Sequence, residues 1–123
     1  MKYQVLQIHV TDAEADLINE TGDFNAVPKF TAQLKMRRQF DGDITGVAKD
    51  AFNSGYFTHV ANITASDLDH VFQISNMGLE ENIERLAPMH SVSVGDIIID
   101  ENNIVWVVAN FGFEEVMELA EAA

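Results

Sequence analysis

Apolar and polar residues alternate from Tyr3 to Val10, and both sides of the alternation carry apolar groups: Tyr3 and Val5 on one, Leu6, Ile8 and Val10 on the other. That pattern predicts an interior strand over 2–10. Thr11 followed by Glu14 is a capping-box signature, and Ala13, Leu17 and Ile18 then share one side of a helix over 12–20 that stops near Gly22. The stretch 28–38 fits two periods. Phe30 and Leu34 share a helical face, whereas Phe30, Ala32, Leu34 and Met36 alternate as in a strand. Pro28 favours the helix, because proline is tolerated in a first turn. Val47, Ala51 and Phe52 predict a short helix over 46–53, closed by Asn53 to Gly55.

A second strand is expected over 56–63, then a helix over 67–74 carrying Leu68, Val71 and Phe72 and capped by Thr64 or Ser66. Residues 77–90 read as loop around a short helical turn. Ile97-Ile98-Ile99 and Ile104-Val105-Trp106-Val107-Val108-Ala109, separated by four polar residues, carry the signature of a hairpin. A terminal helix over 114–121 is predicted after it, with Val116, Leu119 and Ala120 inward. The sum is one α+β domain over residues 1–123. It is expected to have a small antiparallel or mixed sheet, helices packed on one face, and a C-terminal hairpin followed by a short helix.

Charge changes this picture more than composition does. The chain has 123 residues, 20 of them Asp or Glu against 7 Lys or Arg, for a net charge of -13. At 47% apolar residues it can build a core and is no disordered acidic tail. Lack of cysteine removes disulfides, thiolate catalysis and Cys-ligated metals. No apolar run approaches a membrane span, and the N-terminal run lacks a basic-then-apolar leader, so no membrane contact and a cytoplasmic location are expected. The charges are also unevenly placed. Phe24 to Phe40 holds Lys29, Lys35, Arg37 and Arg38 and no acid, while Asp96, Asp100, Glu101, Glu114, Glu115, Glu118 and Glu121 follow Arg85 with no base among them.

Candidate chemistry is sparse. His9, His59, His70 and His90 show no metal-ligand spacing, and Asp41-Gly42-Asp43 lacks the later ligands of a calcium loop, so neither a metal nor another cofactor is expected. No serine lies in a nucleophile elbow, and the glycine-containing loops lack a phosphate-binding pattern. His59, Asp69 and His70 are the weak catalytic candidates. The basic patch of Lys29, Lys35, Arg37 and Arg38 is too small against -13 to favour direct nucleic-acid binding. Pairing within the chain or with a second copy in a homodimer suits it better.

The acids carry the leading expectation. On a helix, Glu114 and Glu118 would stand about 6 Å apart along the axis, and Glu115, Glu118 and Glu121 about 4.5 Å from one to the next, close to the spacing of phosphates along a nucleic-acid strand. With Asp100 and Glu101 they would make a stripe able to occupy a cationic groove, as a DNA mimic does.

Two stretches carry a resemblance. Ser91 to Ile98, the break at Asn102-Asn103 and Val108 to Glu115 resemble the C-terminal part of small acidic proteins of phage and plasmid type. Gly55 to Ala61 with Asp67 to Phe72 is similar to their middle part, so about half the chain is covered. That group has no established activity, so the resemblance implies an accessory protein acting on host machinery and carries no residue roles. The leading reading is therefore a non-enzymatic acidic domain docking on a basic, nucleic-acid-binding host protein. The alternatives are a small enzyme with a pocket near His59 and His70, and a structural or self-associating protein using the basic patch.

Overall fold

The computed structural model describes residues 1–38, 44–78, 80–109 and 112–119, apart from the side chains of Phe24 and Arg38. In chain order the elements are β1 (Lys2–Ile8), α1 (Asp12–Thr21), α2 (Pro28–Arg38), α3 (Ile44–Asn53), β2 (Phe57–Thr64), α4 (Leu68–Met77), β3 (Ile83–Arg85), β4 (Ile97–Ile99), β5 (Ile104–Val108) and β6 (Phe113–Glu118). All six strands join one antiparallel sheet in the order β3-β2-β1-β4-β5-β6. The fold is α+β, and no helix among the described residues is long and apolar enough to cross a membrane.

Local chemistry explains the starts and stops. Thr11 caps α1 with its hydroxyl on the Glu14 N–H, and the Glu14 carboxylate returns to the Thr11 N–H and also meets Lys29 Nζ at 2.7 Å. Gly22 ends the helix in the left-handed conformation at φ 66°. Glu14→Ala removes the reciprocal cap and the tie to α2 together, a loss of about 1 kcal/mol given partial exposure. Urea denaturation should show it as a lower midpoint at unchanged slope. Asp67, rather than Thr64 or Ser66, caps α4, accepting the His70 N–H at 2.8 Å.

The ambiguous segment 28–38 is helix, with Pro28 in its first turn. Its most buried side chain is Met36, while Phe30 and Leu34 are only partly buried.

Helices lie on both faces of the sheet, which corrects the expected one-sided packing. Along β4, Ile98 packs with Tyr3, Val5, Ile63, Val71 and Ile74 beneath α4. Ile97 and Ile99 face the other way and pack with Ile8, Met36, Ile44 and Ala48 beneath α2 and α3. Apolar groups on both sides of β1 and three consecutive isoleucines in β4 are the residues of a sheet covered twice. A bulge opposite Val5/Leu6 turns Val60 and Ala61 to the same side, and the Val60 carbonyl accepts the N–H groups of Leu86 and Ala87. Residues 83–85, expected as loop, form β3 against β2.

The terminal helix is the second correction. Phe113–Glu118 is a strand, paired with β5 from Val108↔Phe113 to Ile104↔Glu118. Gly112, at φ 85°, has its carbonyl bonded by the Ala109 N–H as the chain reverses. A bulge opposite Val105/Trp106 explains the helical disguise. It lets the neighbours Val116 and Met117 both pack on the α2/α3 core, so an apolar pair after Phe113 imitates the three-and-four spacing of a helix. Like charges three and four apart also disfavour a helix there.

Candidate functional site

Strand register decides where the acidic residues point. Glu115 lies opposite Trp106 and Glu118 opposite Ile104, on the α4 side of the sheet, whereas Glu114 pairs with Val107 and faces the α2/α3 side. The stripe expected from helical spacing is thus split between faces. Glu121 lies outside the described residues, as do Asp41 and Asp43.

On the α4 side, the start of α4 and the β4–β5 turn border a shallow, open groove of about 430 Å³. Tyr3, Trp106 and Phe113 line it together with Asp67, Asp69 and Asp100, and no Lys or Arg side chain does. Tyr3 and Trp106 are brought there by pairing: Tyr3 stands on β1 facing α4, and Trp106 pairs with Ile98 of the same core. Two further hollows adjoin it, one lined by His70 and Gln73 and the other by Phe72 and Gly112, and Asp69 borders all three.

The carboxylates differ in what they already hold. Asp100 organises the turn: Oδ1 accepts the N–H groups of Asn102 (2.8 Å) and Ile104 (3.0 Å), and Oδ2 accepts the Trp106 indole N–H at 3.0 Å. Glu101 accepts the Lys2 backbone N–H at 2.7 Å. Asp67 uses Oδ1 for its cap. Asp69 accepts no hydrogen bond among the described residues, and its position in the first turn of α4 suits a negative charge. Burial, followed by the charges of Asp100, Asp67 and Glu101, raises the Tyr3 hydroxyl above the usual tyrosine pKa.

The histidine pair does not come together. His59 lies opposite Leu6 on the α2/α3 side, where its Nε2 is 2.8 Å from Asn62 Oδ1 and Asn62 in turn donates to Glu84. His70 sits on α4, across the sheet, accepting the Ser66 N–H on Nδ1 at 3.0 Å. That bond assigns the ring proton to Nε2. Among the described residues no hollow is lined by both, so the structure does not bring His59 and His70 together. Asp69 stays with His70 alone.

The described members of the basic patch, Lys29, Lys35 and Arg37, belong to α2 on the opposite face from the groove, and the side chain of Arg38 lies outside the described residues. Lys29 is tied to Glu14, and Lys35 lines a hollow of about 380 Å³ between α2 and α3 with Asp50. Arg37 is exposed, and its charge reaches Asp96. Among the described residues, no group of three or more His, Asp or Glu side chains could hold a metal ion.

Sequence reasoning missed a buried polar knot. Gln7 is 1% exposed on the α4 side of β1, and Asp96 is 2% exposed. Gln7 Nε2 donates to the His90 carbonyl (2.8 Å) and to Asp96 Oδ2 (3.0 Å), while its Oε1 accepts the His90 N–H (3.2 Å). Asp96 Oδ2 also accepts the Ser93 N–H at 2.9 Å, and His90 Nδ1 stands 3.9 Å away. Burial pushes Asp96 up to about 6, against the opposing pull of the Ser93 N–H, His90, Gln7 and Arg37. The signal available in the sequence was a glutamine at an inward strand position. Tyr3, Asp67, Trp106 and Phe113 were likewise missed as groove residues, although a polar-tipped aromatic on an inward strand position is a usable hint.

Comparison with protein-family models, curated proteins and solved structures finds no match for this chain.

Proposed function

We propose that this protein is a non-enzymatic, acidic protein-binding domain that docks on a basic, nucleic-acid-binding protein, as a phage- or plasmid-type accessory factor in the cytoplasm. The observation that carries the reading is the gathering of acids along one groove that no Lys or Arg lines. Asp67, Asp69 and Asp100 border the groove, with Glu115 and Glu118 on the same side, and Lys29, Lys35 and Arg37 belong to the helix packed on the other. An acid-lined groove of this kind steers a cationic partner and sets its orientation. The partner-facing set is accordingly Asp67, Asp69, Glu115 and Glu118, with Asp100 and Glu101 supporting the turn beside them. The resemblance of Ser91 to Ile98 and Gly55 to Ala61 to phage and plasmid proteins supports the accessory role.

The test must separate location from net charge. Glu115→Lys with Glu118→Lys, and separately Asp16→Lys with Glu20→Lys on the exposed side of α1, change the total charge equally. Anisotropy of a labelled deca-arginine peptide should show at least tenfold weaker binding for the first pair and under about threefold for the second, with affinity falling as salt shortens the screening length. Equal losses from both pairs would sink the reading, because net charge alone would then explain the attraction.

A further inference from the structure

The groove at the start of α4 contains a group that the fold leaves without a partner. Tyr3 is 4% exposed, yet its hydroxyl makes no hydrogen bond among the described residues, and it borders the groove beside Asp67, Asp69 and Asp100. Buried phenols ordinarily find a partner. Ionised carboxylates only accept, so the three acids on the rim add acceptors and no donors; the donors that line the groove are the Ser66 hydroxyl, 3.1 Å from His70 Nδ1, and the Met1 amino group, and neither hydrogen-bonds the Tyr3 oxygen. The deficit extends to Asp69, which accepts nothing, and to the second oxygen of Asp67, whose first holds the His70 N–H. The cations of α2 lie across the sheet and cannot supply it.

We propose, resting on the docking reading above, that this groove receives the guanidinium of an arginine side chain from the basic partner. The Tyr3 oxygen and the carboxylates of Asp67 and Asp69 accept its N–H groups, and the rings of Trp106 and Phe113 flank its plane. Three carboxylates exclude an anion, and the polar rim disfavours an aliphatic side chain. Arginine suits the site better than lysine. Its planar fork offers several donors at once, is weakly hydrated and stacks on aromatic faces, whereas an ammonium is a compact, strongly hydrated point. Asp100, with both oxygens engaged by the turn and the indole, fixes the ring of Trp106 and adds charge without serving as a primary acceptor.

Trp106 is the single tryptophan, so its fluorescence reports the groove directly. The probes are the capped tripeptides Gly-Arg-Gly, Gly-Lys-Gly and Gly-citrulline-Gly, titrated into the intact chain. A saturable change with the arginine peptide is expected, with at least threefold weaker binding of the lysine peptide and none of the citrulline peptide. Tyr3→Phe keeps the ring in the core and removes only the hydroxyl, and should weaken the arginine peptide at least threefold. Asp69→Asn should weaken it at least fivefold, with thermal melts of both variants close to that of the parent. Equal response to the arginine and citrulline peptides, or unchanged binding in both variants, overturns the proposal. Tighter binding of free spermidine than of the arginine peptide also overturns it, by reassigning the groove to a small polyamine. Failure here is distinct from failure of the docking reading: deca-arginine binding that depends on Glu115 and Glu118 but not on Tyr3 or Asp69 removes the groove and leaves the acidic face standing.

Discussion

Asp96→Asn is expected to stabilise the protein at neutral pH and to flatten its stability between about pH 4 and pH 6. The folded pKa of Asp96 is raised to about 6 from the ordinary 3.8, so over that interval the folded chain holds a proton that the unfolded chain has released. Stability from this group is therefore complete below about pH 4 and lost as pH rises through 6, by about 3 kcal/mol at two units of separation. Asparagine carries no charge to bury and keeps an oxygen for the Ser93 N–H and Gln7 Nε2. Its amide nitrogen takes the place of Oδ1, which has no hydrogen bond among the described residues, a cost of about 1 kcal/mol. The net gain above pH 7 is about 2 kcal/mol, or about 6 °C in melting temperature for a domain of this size. Near pH 4 the variant should fall slightly below the parent. Melting curves from pH 4 to 8 check this, and parallel curves for both proteins would show that Asp96 does not titrate in that window. Glu14 acts in the opposite sense: Lys29 and the Thr11 N–H hold it near 2, so its contribution is present above 4.5 and lost as pH falls further. These two groups together favour a pH of about 4, where both contributions are nearly complete.

Gly95→Ala should cost about 3 kcal/mol, from a backbone term and a packing term of similar size. Gly95 has φ +93°, where an L side chain is strained, and a Cβ there would stand 3.2 Å from Met36 Cβ. Met36 is fully buried on α2, so this contact brings the loop before β4 against the far-side helix. The nearest atom is the β-carbon of Met36, which alanine retains. Met36→Ala therefore leaves the clash in place and adds its own cavity cost of about 2–5 kcal/mol. Near-additive losses in urea denaturation are expected for the pair. Substantial rescue in the double variant, or a loss below about 1 kcal/mol for Gly95→Ala alone, would contradict the close approach.

The elements legible in the sequence were those in which local chemistry and packing agree. The Thr11–Glu14 cap, the Pro28 helix start and the β4–β5 hairpin each announced themselves through a few adjacent residues. Those that misled depend on distant partners. Residues 113–118 became a strand because β5 offered a free edge and a bulge absorbed the extra apolar residue, and neither fact is written in the hexapeptide itself. The same dependence hid the candidate site. Asp69 and Glu115 were visible as acids, but only the sheet order brings Tyr3, Trp106 and α4 together around a groove. Three isoleucines in β4 recorded the second layer of helices, since each face of that strand needed an apolar residue.

The position of β6 at the end of the strand order has a consequence for solubility. Among the described residues no strand pairs with its outer side, so its backbone N–H and C=O groups on that side are open to strand addition by another chain. Glu114, Glu115 and Glu118 occupy half of this edge, and their mutual repulsion between copies opposes such pairing. The guard is electrostatic and therefore conditional. Near the isoelectric point, about 4.3, the chain as a whole has no net charge to keep copies apart, close to the pH range in which Asp96 and Glu14 favour the folded state. Folding and colloidal stability consequently pull toward different pH values.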